Sequence, residues 1–294
     1  MYVMKTIVII HNLNSRGKNI NEDYVRELLN KKGIKFHYFQ TKQISDVDEI
    51  IKKYNNPSEF QYCSIGGDGS LNALVNSLMK NNITMPEVSC LPGGSGSDFI
   101  RTFALPQNIE EAVEHLIFDN FYEVDVGLIE NKTDVKYFIN VLNIGFLAST
   151  VEVSEKFPNL FRAFRYPLSF WIKIITARAK EMIISNDKYE FKGMAFNICV
   201  CNAQYFGGGW NISPKSSLQD GLFNIQVFAV TKLKAMQIFF LAKKGLHLKE
   251  SSVKLKRLSQ LTVNSKDPIE IDGDFFGYGP AEIFIKKRAI RFKI

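Results

Sequence analysis

The chain of 294 residues has little cysteine: four, Cys63, Cys90, Cys199 and Cys201. None forms a Cys-x-x-Cys pair, so the usual zinc and redox spacings are absent. So few thiols exclude a disulfide-stapled scaffold and fit buried free cysteines in a reducing compartment. No run of about 18 uninterrupted apolar residues occurs, so no membrane-spanning helix is expected. The opening MYVMKTIVIIHN carries only a short apolar run without a small-residue cleavage pattern, and reads as a first strand instead of a signal peptide. Internal repeats and low-complexity linkers are also missing, which excludes solenoids and long disordered tethers.

What remains is ordinary globular material. Apolar residues make up 46% of the chain, enough for real cores, and the length suits two domains. The net charge is +7 with a pI near 9.0. Such a balance suits anionic partners such as nucleotide, nucleic acid or an anionic membrane surface. A lysine-rich composition with no partner would give the same value.

Two glycine-rich loops carry most of the information. Gly66-Gly67-Asp68-Gly69-Ser70 leads straight into a helix-like run from Leu71 to Lys80. Glycines permit φ > 0 and close ligand approach, and a helix N-terminus offers free N–H donors to phosphate. The carboxylate of Asp68 inside such a loop implies a metal ion or a reacting hydroxyl as its partner. Taken alone, the loop also reads as a plain strand-to-helix turn. The second loop, Leu91-Pro92-Gly93-Gly94-Ser95-Gly96-Ser97-Asp98-Phe99, again follows a short apolar segment. Two such loops at strand C-terminal ends point to one site, because open α/β sheets bind ligands at that edge. Neither closes with Gly-Lys-Ser/Thr, and neither fits G-x-G-x-x-G.

Along the chain, strand signals at Thr6–Ile10, Ile34–Phe39, Tyr62–Ile65 and Val88–Leu91 alternate with helix signals. Among the latter are Tyr24–Lys32, a capping box at Ser45–Asp48, and a cap at Asn108 with Glu111. This alternation predicts a parallel sheet covered by helices, ending near Gly127. Beyond it, runs at Val135–Leu142, Phe191–Val200, Leu222–Val230, Val253–Val263 and Ile269–Ile271 predict a mostly-β sandwich, with a final strand pair over Ala281–Ile294. The expected domains are 1–127 and 128–280.

The segment Lys156–Lys180 stands apart, with six basic residues, six aromatics and no acid. Phe157, Phe161 and Phe164 are spaced for one helical face, and Arg162, Arg165, Lys173, Arg178 and Lys180 supply charge. Such a helix can lie in an anionic lipid interface. It can equally pack on the β domain or on a second subunit as a homodimer. No nucleic-acid motif accompanies it, so nucleic acid is not an expected partner.

Ordered motifs over nearly the whole chain resemble those of the diacylglycerol kinase-type lipid kinases, the bacterial soluble branch related to sphingoid-base kinases. They are Asn12-Leu13-Asn14-Ser15-Arg16-Gly17, the two glycine loops, Asp125-Val126-Gly127, Phe138-Ile139-Asn140 with Gly145-Phe146, Asn202 with Tyr205-Phe206-Gly207-Gly208-Gly209, Pro214, Asp220-Gly221-Leu222, and Asp272-Gly273-Asp274. The resemblance implies an α/β domain of the NAD kinase/diacylglycerol kinase type with a parallel sheet, a β-sandwich second domain, and a C-terminal tail returning to the first domain. It implies ATP-dependent transfer of phosphoryl to a lipid hydroxyl such as diacylglycerol, with Mg²⁺, by a cytoplasmic protein peripherally associated with membrane.

The resemblance also places nucleotide contacts at Asn12, Thr41, Gly66, Gly67, Asp68, Gly69, Ser70, Asn72, Gly94, Ser95, Gly96 and Asp98. Asp68 would organise the catalytic Mg²⁺, with Asp98 and Asp125 beside it. Aspartate oxygens suit that hard cation. Asp98 also reads as a helix N-cap, and Asp125 as a brace. A structural Mg²⁺ would sit on Asp220 and the carbonyls of Ser217 and Leu222, a stretch that also reads as a plain Asp-Gly turn. Asp274 stands where the family has a glutamate as general base, so its carboxylate is drawn back by about 1.5 Å, one C–C bond. Ser97 replaces an asparagine and Ala73 a frequent glutamate. Two other readings stay open: an NAD kinase-like enzyme, which shares the GGDG sequence, and a non-catalytic nucleotide- or lipid-binding protein.

Overall fold

Ile7, Val8, Ile9 and Ile10 are all buried, on both faces of one strand. That is the signature of a central parallel strand, whose apolar run does not alternate. In the computed structural model, which describes residues 5–15, 20–94, 97–158 and 164–294, this strand is β1 (Thr6–Asn12). The chain divides into two units, Met1–Val126 with Lys286–Ile294, and Gly127–Ile285.

In the first unit β1 pairs in parallel with β2 (Phe36–Thr41) and β3 (Phe60–Gly66), and β3 pairs in parallel with β4 (Glu87–Pro92). The connections are α1 (Glu22–Lys31), α2 (Ile44–Lys53) and α3 (Asp68–Lys80), followed by α4 (Asp98–Thr102) and α5 (Ile109–His115). Val25 and Leu29 of α1, with Ala112 and Val113 of α5, bury the sheet face of Ile7, Ile9, Cys63 and Ile65. The expected α/β alternation is therefore present. The capping box is displaced: Gln43, not Ser45, is the N-cap of α2, and Asp46 accepts the N–H groups of Lys42 and Gln43 at 2.8 and 3.1 Å. Helix α3 starts at Asp68, three residues before the expected Leu71.

Strand β5 (Phe121–Glu130) leads into the second unit, a β-sandwich. Its elements are β6 (Val135–Phe138), β7 (Val141–Gly145), α6 (Phe146–Glu155), α7 (Arg165–Thr176), β8 (Lys180–Asn186), β9 (Tyr189–Ala195), β10 (Asn197–Cys201), β11 (Phe223–Phe228), α8 (Lys232–Ala242), β12 (Val253–Leu258), β13 (Gln260–Val263), β14 (Pro268–Ile271), β15 (Asp274–Tyr278) and β16 (Ala281–Lys293). One sheet has the order β12-β11-β10-β7-β14-β15. Opposite it, β13 pairs with β8 and with the first residues of β16, and β8 pairs with β9.

Period-two alternation explains why every residue of β10 is buried. Ile198 and Val200 enter the sandwich core, whereas Cys199 and Cys201 face a second core with Ile174 of α7 and Ile238 and Ala242 of α8. The last residues of β16 belong to the first unit, where Arg291 and Phe292 align in parallel with Glu87 and Val88.

Three sequence expectations change here. Phe191–Val200 and Val253–Val263 are each two strands in different sheets, because the chain leaves one layer at Phe196 and at Ser259. Ala281–Lys293 is one long strand, not a pair, with Arg288 in the left-handed region at φ 48. Phe157 and Phe164 do not share a helix. Phe157 lies beyond the end of α6, before Pro158, and Phe164 is the N-cap of α7. A proline restricts the residue before it and donates no N–H, which ends the helical run. Phe161 and Arg162 lie outside the described residues.

Candidate active site

Because β1, β3 and β4 are parallel neighbours, the loops leaving their C-terminal ends emerge side by side. The Gly93 N–H donates to Gly66 O at 3.0 Å, and the Ser15 hydroxyl donates to Gly93 O at 3.2 Å. The Asn12 amide donates to Ser70 Oγ at 3.1 Å. A Cβ on Gly66 would lie 2.2 Å from Ser70 Oγ, and one on Gly94 2.3 Å from Gly67 Cα. The glycines are thus required by the approach of one loop to the other as well as by any ligand. A Cβ on Gly69, in the first turn of α3, would meet nothing within 4 Å, so that turn has open space beside it.

Asp68 ties the two loops together. Its carboxylate accepts the N–H groups of Asp98 and Phe99, both at 2.9 Å, and so caps α4 from the neighbouring loop. Ser97 is the N-cap by position and makes no side-chain cap bond. A negative charge there also suits the positive end of a helix. Asp98 is buried, with the Arg101 guanidinium 4.0 Å from its carboxylate. Thr41 lies beside Asn12 in register and donates to His11 O at 3.3 Å. Asn72 is buried in α3 and accepts from the Asn76 amide at 2.8 Å. Asp125 is fully buried and accepts the Arg288 N–H at 2.7 Å, holding the left-handed bend of β16. Ser95 and Gly96 lie outside the described residues.

The remaining candidates belong to the second unit. Asp274 opens β15 with its side chain 64% exposed, and Lys136 Nζ stands 3.5 Å from Oδ2. Asp220 precedes β11, where one oxygen accepts the Leu222 N–H at 2.9 Å and the other is bonded to the Arg257 guanidinium. The two aspartates are not brought together. Three strands separate β11 from β15, so the strands that carry them lie about 19 Å apart.

Sequence reasoning assigned no role to the two acids that hold the Asp274 turn. Asp272, at φ 49, accepts three N–H groups, from Ile139, Asn140 and Val141, at 2.7, 2.9 and 3.0 Å. Asn202 holds the same segment, donating its amide to Ile139 O at 2.9 Å. The scattered motifs at 138–140, 202 and 272–274 are therefore one structural device. Glu270, buried, accepts the Gly273 N–H at 2.9 Å and the Asn143 amide. Asn143 in turn accepts from the Asn197 amide at 3.1 Å, and Asn197 accepts the Leu147 N–H at 3.0 Å. Burial raises the Glu270 carboxyl to about 8, with the nearby Asp272 and Asp274 charges adding to the effect. The motif spacing linked Asp272 to Asp274, but nothing local in the sequence signals Glu270.

The glycine loops fit a nucleotide's phosphates: the backbone is bare at Gly69, and Asp68 and Gly69 precede the first N–H groups of α3 that bond within the helix, those of Ser70 and Leu71 to Gly67 O at 3.0 and 3.2 Å. Asp68 spends one lone pair of each oxygen on α4 and retains others, which suits Mg²⁺, an ion that takes one or two carboxylates and completes its shell with phosphate and water. Among the described residues no three acidic, histidine or cysteine side chains cluster as a metal site of their own. At Asp220 the fit is poor, because a cation would have to displace the Arg257 guanidinium.

Comparison with known proteins gives a family match for each part of the chain. Residues 6–129 match the family described as the diacylglycerol kinase catalytic domain, and residues 140–293 match the YegS C-terminal NAD kinase beta sandwich-like domain. A diacylglycerol kinase of Staphylococcus haemolyticus (strain JCSC1435) is 28% identical over 232 residues, covering 76% of this chain and 68% of that protein. One from Staphylococcus aureus (strain bovine RF122 / ET3-1) is 26% identical over 295 residues, covering 96% and 90%. A crystal structure of a diacylglycerol kinase from Bacillus anthracis str. Sterne shares the fold, with a TM-score of 0.74, 18% identity and coverage of 98% and 96%. With two domain matches in order over nearly its whole length, the chain belongs to the diacylglycerol kinase-type family of lipid kinase enzymes.

Proposed function

We propose that this protein transfers the γ-phosphoryl group of ATP to the hydroxyl of a membrane lipid of the diacylglycerol class. The observation that carries the reading is the pair of glycine loops closed on each other by Asp68, within a chain whose first half matches the diacylglycerol kinase catalytic domain. Phosphoryl transfer asks the protein chiefly for positioning and charge. The first turn of α3 and the Gly66–Gly67 and Gly93–Gly94 backbone would hold phosphate oxygens. Asp68 would hold Mg²⁺, which when bound neutralises charge on the phosphates. Asp274 takes the acceptor's proton as the new O–P bond forms and the bond from the γ-phosphorus to the leaving ADP oxygen breaks. Its exposure leaves it open to an incoming hydroxyl, and the Lys136 pair, being exposed, is worth about 0–1 kcal/mol and yields readily.

Lipid as acceptor class is supported by an apolar surface on the second unit. Trp171 and Ile175 of α7 and Leu233 and Phe240 of α8 are all more than half exposed. The helices are joined by the Phe170–Phe239 ring contact at 4.6 Å and by Lys232 Nζ donating to Ile175 O at 2.6 Å. Apolar side chains on a basic protein suit peripheral contact with an anionic bilayer. Among the described residues no helix is long and apolar enough to cross a membrane. The experiment is ATP-dependent phosphorylation of a lipid panel in mixed micelles, with NAD as a control acceptor. Transfer to a lipid hydroxyl is expected, while transfer to NAD alone, or nucleotide binding without transfer, would overturn the reading.

A further inference from the structure

Asp274 stands between two backbone N–H groups that are each held by a glutamate. The Gly273 N–H on one side donates to Glu270 at 2.9 Å, and the Phe275 N–H on the other donates to Glu155 Oε1, also at 2.9 Å. The first bond is local, three residues back along the same hairpin. The second comes from 120 residues away, from the last residue of α6. Among the described residues no strand lies beyond β15, the edge of its sheet, so its outward N–H groups meet no ladder partner. At Phe275 the Glu155 carboxylate takes that place.

Helix chemistry alone does not favour acids at this end of α6. The carbonyl end of a helix repels an anion by about 0.3–1 kcal/mol. Yet the last turn holds Glu152 and Glu155 and no basic residue. Both acids are turned to the hairpin. Glu155 holds the start of β15, and Glu152, paired with Lys156 at 2.8 Å, also bonds the Tyr278 hydroxyl at the far end of that strand. The other end of α6 is tied to the same hairpin: the Leu147 N–H donates to Asn197, Asn197 to Asn143 and Asn143 to Glu270. A helix packed across β14 and β15 is thus bonded to their hairpin from both of its ends.

We propose that Glu155 is a positioning residue for the transfer reaction: by holding the Phe275 N–H it fixes where the β15 backbone presents the Asp274 carboxylate to the acceptor hydroxyl. Asp274 is largely exposed, and its ion pair with Lys136 is long, at 3.5 Å. An aspartate carboxylate sits one carbon from its backbone, so the backbone sets its reach. A base works only within about 2.6–3.2 Å of its proton, and a misplacement of about 1 Å can cost about a hundredfold. Glu155 acts through the strand and takes no proton itself. The inference rests on the reading of Asp274 as the proton acceptor of a lipid kinase.

Glu155→Ala removes the acceptor, whereas Glu155→Gln keeps one, because an amide oxygen also accepts an N–H. In the full chain labelled with ¹⁵N-phenylalanine, without substrate, exchange of the Phe275 amide should quicken by about tenfold or more in Glu155→Ala and stay within about threefold in Glu155→Gln. In mixed micelles with ATP and diacylglycerol, kcat of the alanine variant should fall about tenfold, with KM for ATP within about twofold, and glutamine should recover most of the rate. In an Asp274→Asn background, Glu155→Ala should cost less than about twofold more, since it acts through a group already removed. If Glu155→Ala does not fold by circular dichroism, Glu155→Asp, which withdraws the carboxylate by about 1.5 Å, takes its place with the same expectations. Unchanged Phe275 exchange, an unchanged kcat, a risen KM in place of a lowered kcat, or the full tenfold loss in the Asp274→Asn background would overturn the proposal. A parent that phosphorylates no lipid would overturn the functional reading and this role with it, while unchanged exchange in an active parent would overturn this role alone.

Discussion

Glu270→Gln should make the stability of the second unit less sensitive to pH, and the two stability curves should cross. The Glu270 carboxyl is raised by burial from 4.5 to about 8, so the folded unit holds this proton more tightly than the unfolded chain. Below pH 4.5 both states are protonated and the group has no effect. Between about pH 4.5 and 8 the unfolded chain ionises first, and stability falls by up to about 1.4 kcal/mol per pH unit. Above that range the loss is complete, about 5 kcal/mol in all. Glutamine carries no charge and removes this slope. It also disrupts a directional chain: Leu147 N–H donates to Asn197, Asn197 to Asn143 and Asn143 to Glu270, while Gly273 N–H donates to the other oxygen. One amide end must then face a donor, at a cost of about 1–3 kcal/mol that does not vary with pH. The variant should therefore be the less stable form near pH 5 and the more stable one near pH 8. Urea unfolding of both proteins across this range measures it, and parallel profiles would refute the burial argument.

Asp68→Asn should reduce phosphoryl transfer at least a hundredfold and lower stability by about 2–3 kcal/mol, because a charged acceptor of two N–H groups becomes a neutral one that can satisfy only one of them well. Calorimetry and transfer assays together check it, and a change in stability without a change in rate would leave Asp68 purely a cap. Asp272→Ala should cost more stability than Asp274→Ala, about 3 kcal/mol or more against about 0–1, since three backbone N–H groups lose their acceptor. Equal melting temperatures for those two variants would refute that division of labour. Arg257→Ala frees the Asp220 carboxylate, so Mg²⁺ should raise the melting temperature of the variant and leave the parent unchanged. An equal rise in both proteins would show that the ion displaces the guanidinium.

The first unit was legible because its strands are buried on both faces and its helices are amphipathic, so apolar runs, caps and glycine loops fall where the elements begin and end. Placing both loops at one edge needed only the rule that parallel strands share a C-terminal side. The second unit was less legible. Helices α6 and α8 gave no periodic signal because apolar residues occur all round them; in α8, Ile238 and Ala242 are buried while Leu233 and Phe240 are exposed. Continuous apolar runs hid the sheet changes at Phe196 and Ser259, since both sides of each break are buried strand. Asp272 and Glu270 act on partners 127 to 133 residues away, which no local pattern reports. Asp68 was singled out for its chemistry, but its bonds to α4 depend on β3 and β4 being neighbours.

The most direct test is the rate of label transfer from γ-³²P-ATP to diacylglycerol in mixed micelles, comparing the parent with Asp274→Asn. The parent should produce labelled phosphatidate. The substituted asparagine retains the shape of the turn without a proton acceptor, so the variant's kcat should fall by about 10²–10⁴ while nucleotide affinity stays within about twofold. A parent that labels no lipid hydroxyl, or a variant that transfers at the parent's rate, would contradict the account.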